Sequence, residues 1–136
     1  TWPDGSKTIV KTTGADVTVQ AIDKKGNTVK VTLVQADLNA MLGNSAFMTG
    51  MDKKKGDYKK FTNCSNAPLN KPGISAAEII AAFQSVATTN TADFGKIKDA
   101  LKKYQDAVNK WNAGDYTKAG ETMAGALKKL AEAVGC

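Results

Sequence analysis

The chain has no histidine and no arginine: all 19 of its basic residues are lysines. Without imidazole there is no general base of the commonest kind, no Ser–His or Cys–His nucleophile pair and no His-ligated zinc. Without guanidinium there is no bidentate fork for a phosphate or a guanine edge, so nucleic acid is not an expected partner. Apolar runs are short. None approaches the roughly 18 consecutive apolar residues that would mark a membrane-spanning helix.

Carboxylates are then the remaining acid–base candidates, and their settings are wrong for that work. Asp52 and Asp57 lie within a lysine run, and Asp93, Asp99 and Asp106 share one polar helix face. A general acid needs an apolar pocket that raises its pKa, and no carboxylate sits in an apolar run. The acids are also too scattered for a calcium loop, which needs oxygens at alternating positions. The expectation is a non-enzymatic protein with no cofactor and no metal.

What is present describes one domain, residues 1–136, with a hydrophobic share of 42% and a net charge of +6. That size suits a modest core, and the charge sets up a diffuse field that attracts anionic surfaces. Cysteine is scarce, and its placement is informative. Cys64 lies mid-chain and Cys136 is the last residue, so a bridge would tie a fraying end to the middle. The chain-entropy model credits so long a loop with about 4 kcal/mol. Two free thiols, or a dimer cross-linked through Cys136, are the alternatives, and self-association stays open with them. A bridge implies an oxidising compartment, and a chain beginning at Thr1 reads as a mature secreted protein after loss of a signal peptide. Asn63-Cys64-Ser65 has the form of an N-glycosylation site.

From the N-terminus, Trp2 reads as a ring tucked over the core edge. Three strand-like runs follow: Lys7–Thr12, then Val17, Val19 and Ala21 in alternation, then Val29, Val31 and Leu33. Glycine-containing turns separate them, the pattern of a meander with one buried face. Gln35–Gly43 reads as a short helix capped at or just before Asp37. Met41, Phe47, Met48 and Met51 then cluster, and methionine's adaptable packing makes them candidate contacts for an apolar ligand.

Asp52–Phe61 holds five lysines and reads as a charged loop. Lys53, Lys54, Lys55, Tyr58, Lys59 and Lys60 are the candidate contacts for an anionic partner, a protein or another charged surface. Residues 36–73 as a whole are expected to hold one short helix and an irregular lysine-rich segment.

Residues 74–136 are helical by pattern. Ser75 and Glu78 form a capping box, with Ile74 and Ile79 as hydrophobic staple. Phe94, Ile97, Leu101, Tyr104, Val108 and Trp111 make one apolar stripe, with Asn90 or Thr91 as its cap. Tyr116, Ala119, Met123, Leu127, Leu130 and Val134 make a second, opened by Asp115. Asp99–Lys103 and Asp106–Lys110 are spaced for i,i+4 pairing on the first of these helices. Gly114-Asp115-Tyr116, Ala119 and Ala126 resemble the second helix of a tetratricopeptide repeat over barely twenty residues. Lys103, Asp106 and Lys110 break that pattern and no second copy follows. The small residues Ala119, Gly120, Ala124 and Gly125 instead ask for a helix in close contact.

The fold expected is α+β: a small antiparallel meander of about three strands packed on a C-terminal bundle of three to four helices. The function expected is that of a secreted interaction protein, an effector, surface antigen or assembly subunit. A carrier of a lipid-like ligand and a membrane-active cationic toxin are the alternatives.

Overall fold

The computed structural model describes residues Thr1–Cys136. Strands β1 (Lys7–Thr13), β2 (Asp16–Ile22) and β3 (Thr28–Leu33) form an antiparallel sheet in the order β1-β2-β3. The register sets Val19 between Val10 and Val31, and Val17 beside Leu33, so the alternating apolar residues stack on one face. Val17, Val19, Ala21, Val31 and Leu33 are all buried there. The opposite face is wet, with the hydroxyls of Thr18 and Thr32 paired at 3.2 Å.

Six helices follow: α1 (Gln35–Leu42), α2 (Ser45–Lys53), α3 (Lys55–Thr62), α4 (Ala76–Ala87), α5 (Phe94–Asn112) and α6 (Tyr116–Ala133). The α+β fold is as expected, with α1 the short helix read at Gln35–Gly43 and α2 and α3 two further short helices. The segment read as a lysine-rich loop is a correction. Residues 45–62 are helical because Phe47 and Met51, then Tyr58 and Phe61, recur at three- and four-residue steps and turn one side inward. Gly56 does not interrupt, since it falls in the first turn of α3.

Helix α6 is the centre of the bundle. It lies along α5, is crossed by α2 and is flanked by α3. Its buried residues therefore run round much of its circumference: Ala119, Met123, Ala126 and Leu130 at one set of positions, Gly120, Ala124, Leu127 and Ala131 at another. Each fully buried Met or Leu contributes roughly 1.5–3 kcal/mol of apolar transfer. The α2–α6 crossing is set by two glycines. A Cβ on Gly50 would overlap the Thr117 carbonyl, and one on Gly120 would overlap that of Phe47. Only hydrogen atoms fit between these backbones.

The helix ends follow local chemistry, with three differences from the sequence pattern. Ser75 caps α4 by accepting the Glu78 N–H at 3.2 Å, as read, while Glu78 reaches back to the Gly73 N–H at 2.6 Å. Helix α5 is capped by Asp93, whose Oδ1 accepts the Lys96 N–H at 3.1 Å, rather than by Asn90 or Thr91. Those two residues belong to a preceding turn closed by Ala92 N–H to the Thr89 carbonyl. Helix α1 begins after Val34 with no side-chain cap of its own; Asp16 of β2 accepts the Gln35 N–H instead. Asp115 opens α6 without a side-chain bond.

Long-range ties close the molecule. Trp2 is buried, donates its indole N–H to the Ala92 carbonyl at 2.7 Å and stacks edge-on to Phe94. Asp93 N–H donates to the Ala133 carbonyl, joining the start of α5 to the end of α6. Cys64 and Cys136 form the expected disulfide within the chain, and Asn66 donates to the Val134 carbonyl beside it. No helix is long and apolar enough to cross a membrane.

Candidate functional site

The lysine run folds into a corner. Asn44 caps α2 by accepting the Phe47 N–H at 2.9 Å, and Lys54 is the joint at which α2 ends and α3 begins. Because Phe47, Gly50, Met51 and Phe61 face inward, the charged residues between them must face out. Lys53, Lys54, Lys55 and Lys59 are exposed, and no carboxylate oxygen lies within 4.0 Å of any of their ammonium groups. Tyr58 is half-buried among them and donates its hydroxyl to Asp52 at 3.3 Å. Its phenol is pushed up by desolvation and by the Asp52 charge.

Behind this corner the lysines have carboxylate partners. Lys60 of α3 meets Glu132 of α6 at 3.3 Å, Lys96 of α5 stands 3.6 Å from it, and Lys129 stands 3.9 Å away. Three ammonium groups thus share one carboxylate. Desolvation would raise the Glu132 pKa, but the Lys60 hydrogen bond and the charges of Lys96 and Lys129 prevail and hold it below the usual range. Glu132 Oε1 is buried and accepts no hydrogen bond, so Lys96 and Lys129 hold it by charge alone. Lys128 faces Asp57 at 3.8 Å across the same α3–α6 seam. The corner therefore rests on a base whose lysines are paired with Glu132 and Asp57, and presents lysines without a carboxylate partner outward.

The other candidate residues fall elsewhere. Met41, Phe47 and Met51 are sealed in the core, and Met48 is half-buried against it. Phe47 meets Trp111 edge-on at 5.9 Å, and Trp111 lies 4.6 Å from the exposed Tyr116. None of the four lines a cavity. The largest groove, about 610 Å³, is bounded by Trp2, Asp23, Lys24, Lys25, Phe94 and Lys98 among others. Asn63 is exposed at the C-terminal cap of α3, next to the buried Cys64. Of the two i,i+4 pairs expected on α5, Lys110–Asp106 forms at 2.6 Å. Asp99–Lys103 does not form; Lys103 lays its stem against Gly125 of α6 instead.

The sequence pattern identifies Lys53–Lys60 as charged but does not reveal the Glu132 node. Its members come from three helices, and the one local signal, Lys128-Lys129 followed by Glu132, is an ordinary helix-face spacing. No protein family, curated protein or solved structure compared with the chain matches it.

Proposed function

We propose that this chain is a secreted, non-enzymatic interaction protein that engages an anionic macromolecular surface through the α2–α3 corner. The carrying observation is the set Lys53, Lys54, Lys55 and Lys59: exposed, close in the chain and without a carboxylate partner, at the joint between two helices. Ammonium groups are compact, hydrated point charges, so such a corner favours dense negative charge over a shaped ligand. Recognition of this kind is strongly salt-dependent.

The carboxylates support the non-enzymatic part of this reading. Those whose ionisation is displaced are all displaced downward: Asp4 by the Ser6 backbone N–H, Asp23 by Lys98, and Glu132 by its lysines. An acid catalyst at neutral pH needs the opposite shift. The disulfide supports an oxidising compartment. Burial of Met41, Phe47 and Met51 favours this reading over an apolar carrier, which needs open volume at those side chains.

Retention on an immobilised sulfated polysaccharide tests the corner. Wild-type protein elutes at higher salt than K53E/K55E/K59E, whose circular dichroism and melting temperature stay unchanged because all three side chains are exposed. Equal elution of the two proteins refutes the assignment.

A further inference from the structure

Strand β1 is an open sheet edge. Thr13 and Asp16 are opposite each other across a two-residue turn, Gly14-Ala15, with Gly14 at φ +61° in the first position as a type II′ hairpin requires. Residues flanking such a turn exchange both ladder bonds, and bonded pairs then alternate along the strand. Lys7, Ile9, Lys11 and Thr13 therefore point their backbone groups at β2. Thr8, Val10 and Thr12 point theirs away from it. No backbone group of Lys7–Thr13 bonds to any element besides β2. Helix α4 touches β1, and the Thr8 hydroxyl donates to the Ala87 carbonyl at the end of that helix, but α4 bonds no backbone group of the strand. The other edge strand, β3, lies against α5.

The wet face beside this edge has a definite pattern. Lys7, Ile9 and Lys11 follow one another on it, Ile9 is 47% exposed, and Lys30 stands two strands over, level with Ile9. None of these three lysines has a carboxylate within 4.0 Å. A second copy of the chain could pair with the edge through its own β1, but it would bring its Lys7 and Lys11 beside Lys7, Lys11 and Lys30, none of which has a carboxylate partner. Asp16, the one acid of β2 on this face, lies at the turn end of the strand, where it accepts the Gln35 N–H. A partner strand with acid, apolar and acid residues at alternate positions meets Lys7, Ile9 and Lys11 in turn.

We infer that β1 accepts an extended segment of another protein by strand addition, with the donors and acceptors of Thr8, Val10 and Thr12 forming the new ladder and acidic side chains facing Lys7 and Lys11. The surface is separate from the α2–α3 corner, and the inference does not rest on that reading.

The test uses the whole protein and the synthetic peptide Thr-Glu-Thr-Val-Thr-Glu-Thr, followed by amide hydrogen exchange at low salt. Exchange at Thr8, Val10 and Thr12 slows about tenfold or more with excess peptide, while Lys7, Ile9 and Lys11, already bonded to β2, keep their rates. K7E/K11E, with an unchanged melting temperature, binds the peptide about tenfold more weakly. Unaltered exchange at the three amides at millimolar peptide overturns the inference. So does equal slowing by the peptide with lysine in place of glutamate. Slowing that follows protein concentration alone assigns the edge to a second copy and overturns it as well.

Discussion

Two glycines of α6, five residues apart, should respond to the same substitution with opposite sign. At Gly120 a Cβ would overlap the Phe47 carbonyl oxygen and lie 2.9 Å from both the Phe47 carbonyl carbon and the Met51 nitrogen. These are backbone atoms of α2, so no side chain can swing aside, and the whole helix must move. Overpacking of this kind costs about 1–3 kcal/mol, against a helix-propensity gain of about 1 kcal/mol for Gly→Ala. Separation of α2 also loosens Phe47 and Met51, both sealed in the core, so the net loss for Gly120→Ala should reach about 1–2 kcal/mol. At Gly125 the nearest atoms are the Lys103 Cδ at 3.5 Å and its Cε and Nζ at 3.8 Å, ordinary contacts with a mobile stem. Gly125→Ala should therefore stabilise by about 0.5–1 kcal/mol. Urea unfolding followed by far-UV circular dichroism measures both, and the midpoints should fall on either side of wild type. Gly50→Ala should match Gly120→Ala, and the double variant should lose less than the two single losses combined, because α2 has already been displaced. A neutral or stabilising Gly120→Ala would refute the close crossing of α2 and α6.

Two further substitutions probe the base of the corner and the Cys64–Cys136 disulfide. Glu132 has a depressed pKa, so its contribution to stability is present above its unfolded value of 4.5 and is lost as pH falls through the lower folded value. Glu132→Gln should flatten that acid limb of a stability–pH profile and destabilise at pH 7, where it leaves Lys60, Lys96 and Lys129 unbalanced; an unchanged limb would remove Glu132 as its source. The same variant should elute from the sulfated resin at higher salt, since one internal counter-charge is gone. Cys136→Ser should cost about 2–5 kcal/mol in urea unfolding and speed amide exchange in the last turn of α6, where Cys136 N–H donates to Ala131; a loss below about 1 kcal/mol would show that the bridge constrains little.

The sheet was legible because its signal is local. Val17, Val19 and Ala21 alternate, glycines punctuate the turns, and a one-residue slip would have exposed the entire inner face. Helix α4 was legible for a similar reason, through the reciprocal side chains of Ser75 and Glu78. Residues 45–62 misled because polar charge masks their inward stripe: with Lys53, Lys54, Lys55, Lys59 and Lys60 in the window, composition suggests a loop while Phe47, Met51, Tyr58 and Phe61 keep helical spacing. The stripe becomes decisive only when α6 offers Gly120 and Ala124 as a surface to pack on, and that is a tertiary fact. The methionines carry a weaker signal. Clustered in sequence, they read as a ligand surface, and in the fold Met41 and Met51 are buried in the core cluster, a packing role that an unbranched thioether performs well.

The candidate site was half legible for the same reason. A row of lysines says that charge is present, but its availability depends on where the acids are. Lys60, Lys96, Lys128 and Lys129 are engaged with Glu132 and Asp57, and Lys98 is held by Asp23 at 3.0 Å. Much of the uncompensated charge is left in two places: Lys53, Lys54, Lys55 and Lys59 at the α2–α3 corner, and Lys7, Lys11 and Lys30 on the wet face of the sheet. Exposed cations repel one another and add little to stability, so their concentration in two patches, each next to groups able to bond outward, is better accounted for by what they meet than by what they hold together. At the corner those groups are ammonium ions alone, which suits a dense polyanion. At the sheet they accompany unpaired backbone of Thr8, Val10 and Thr12, which suits only an extended chain.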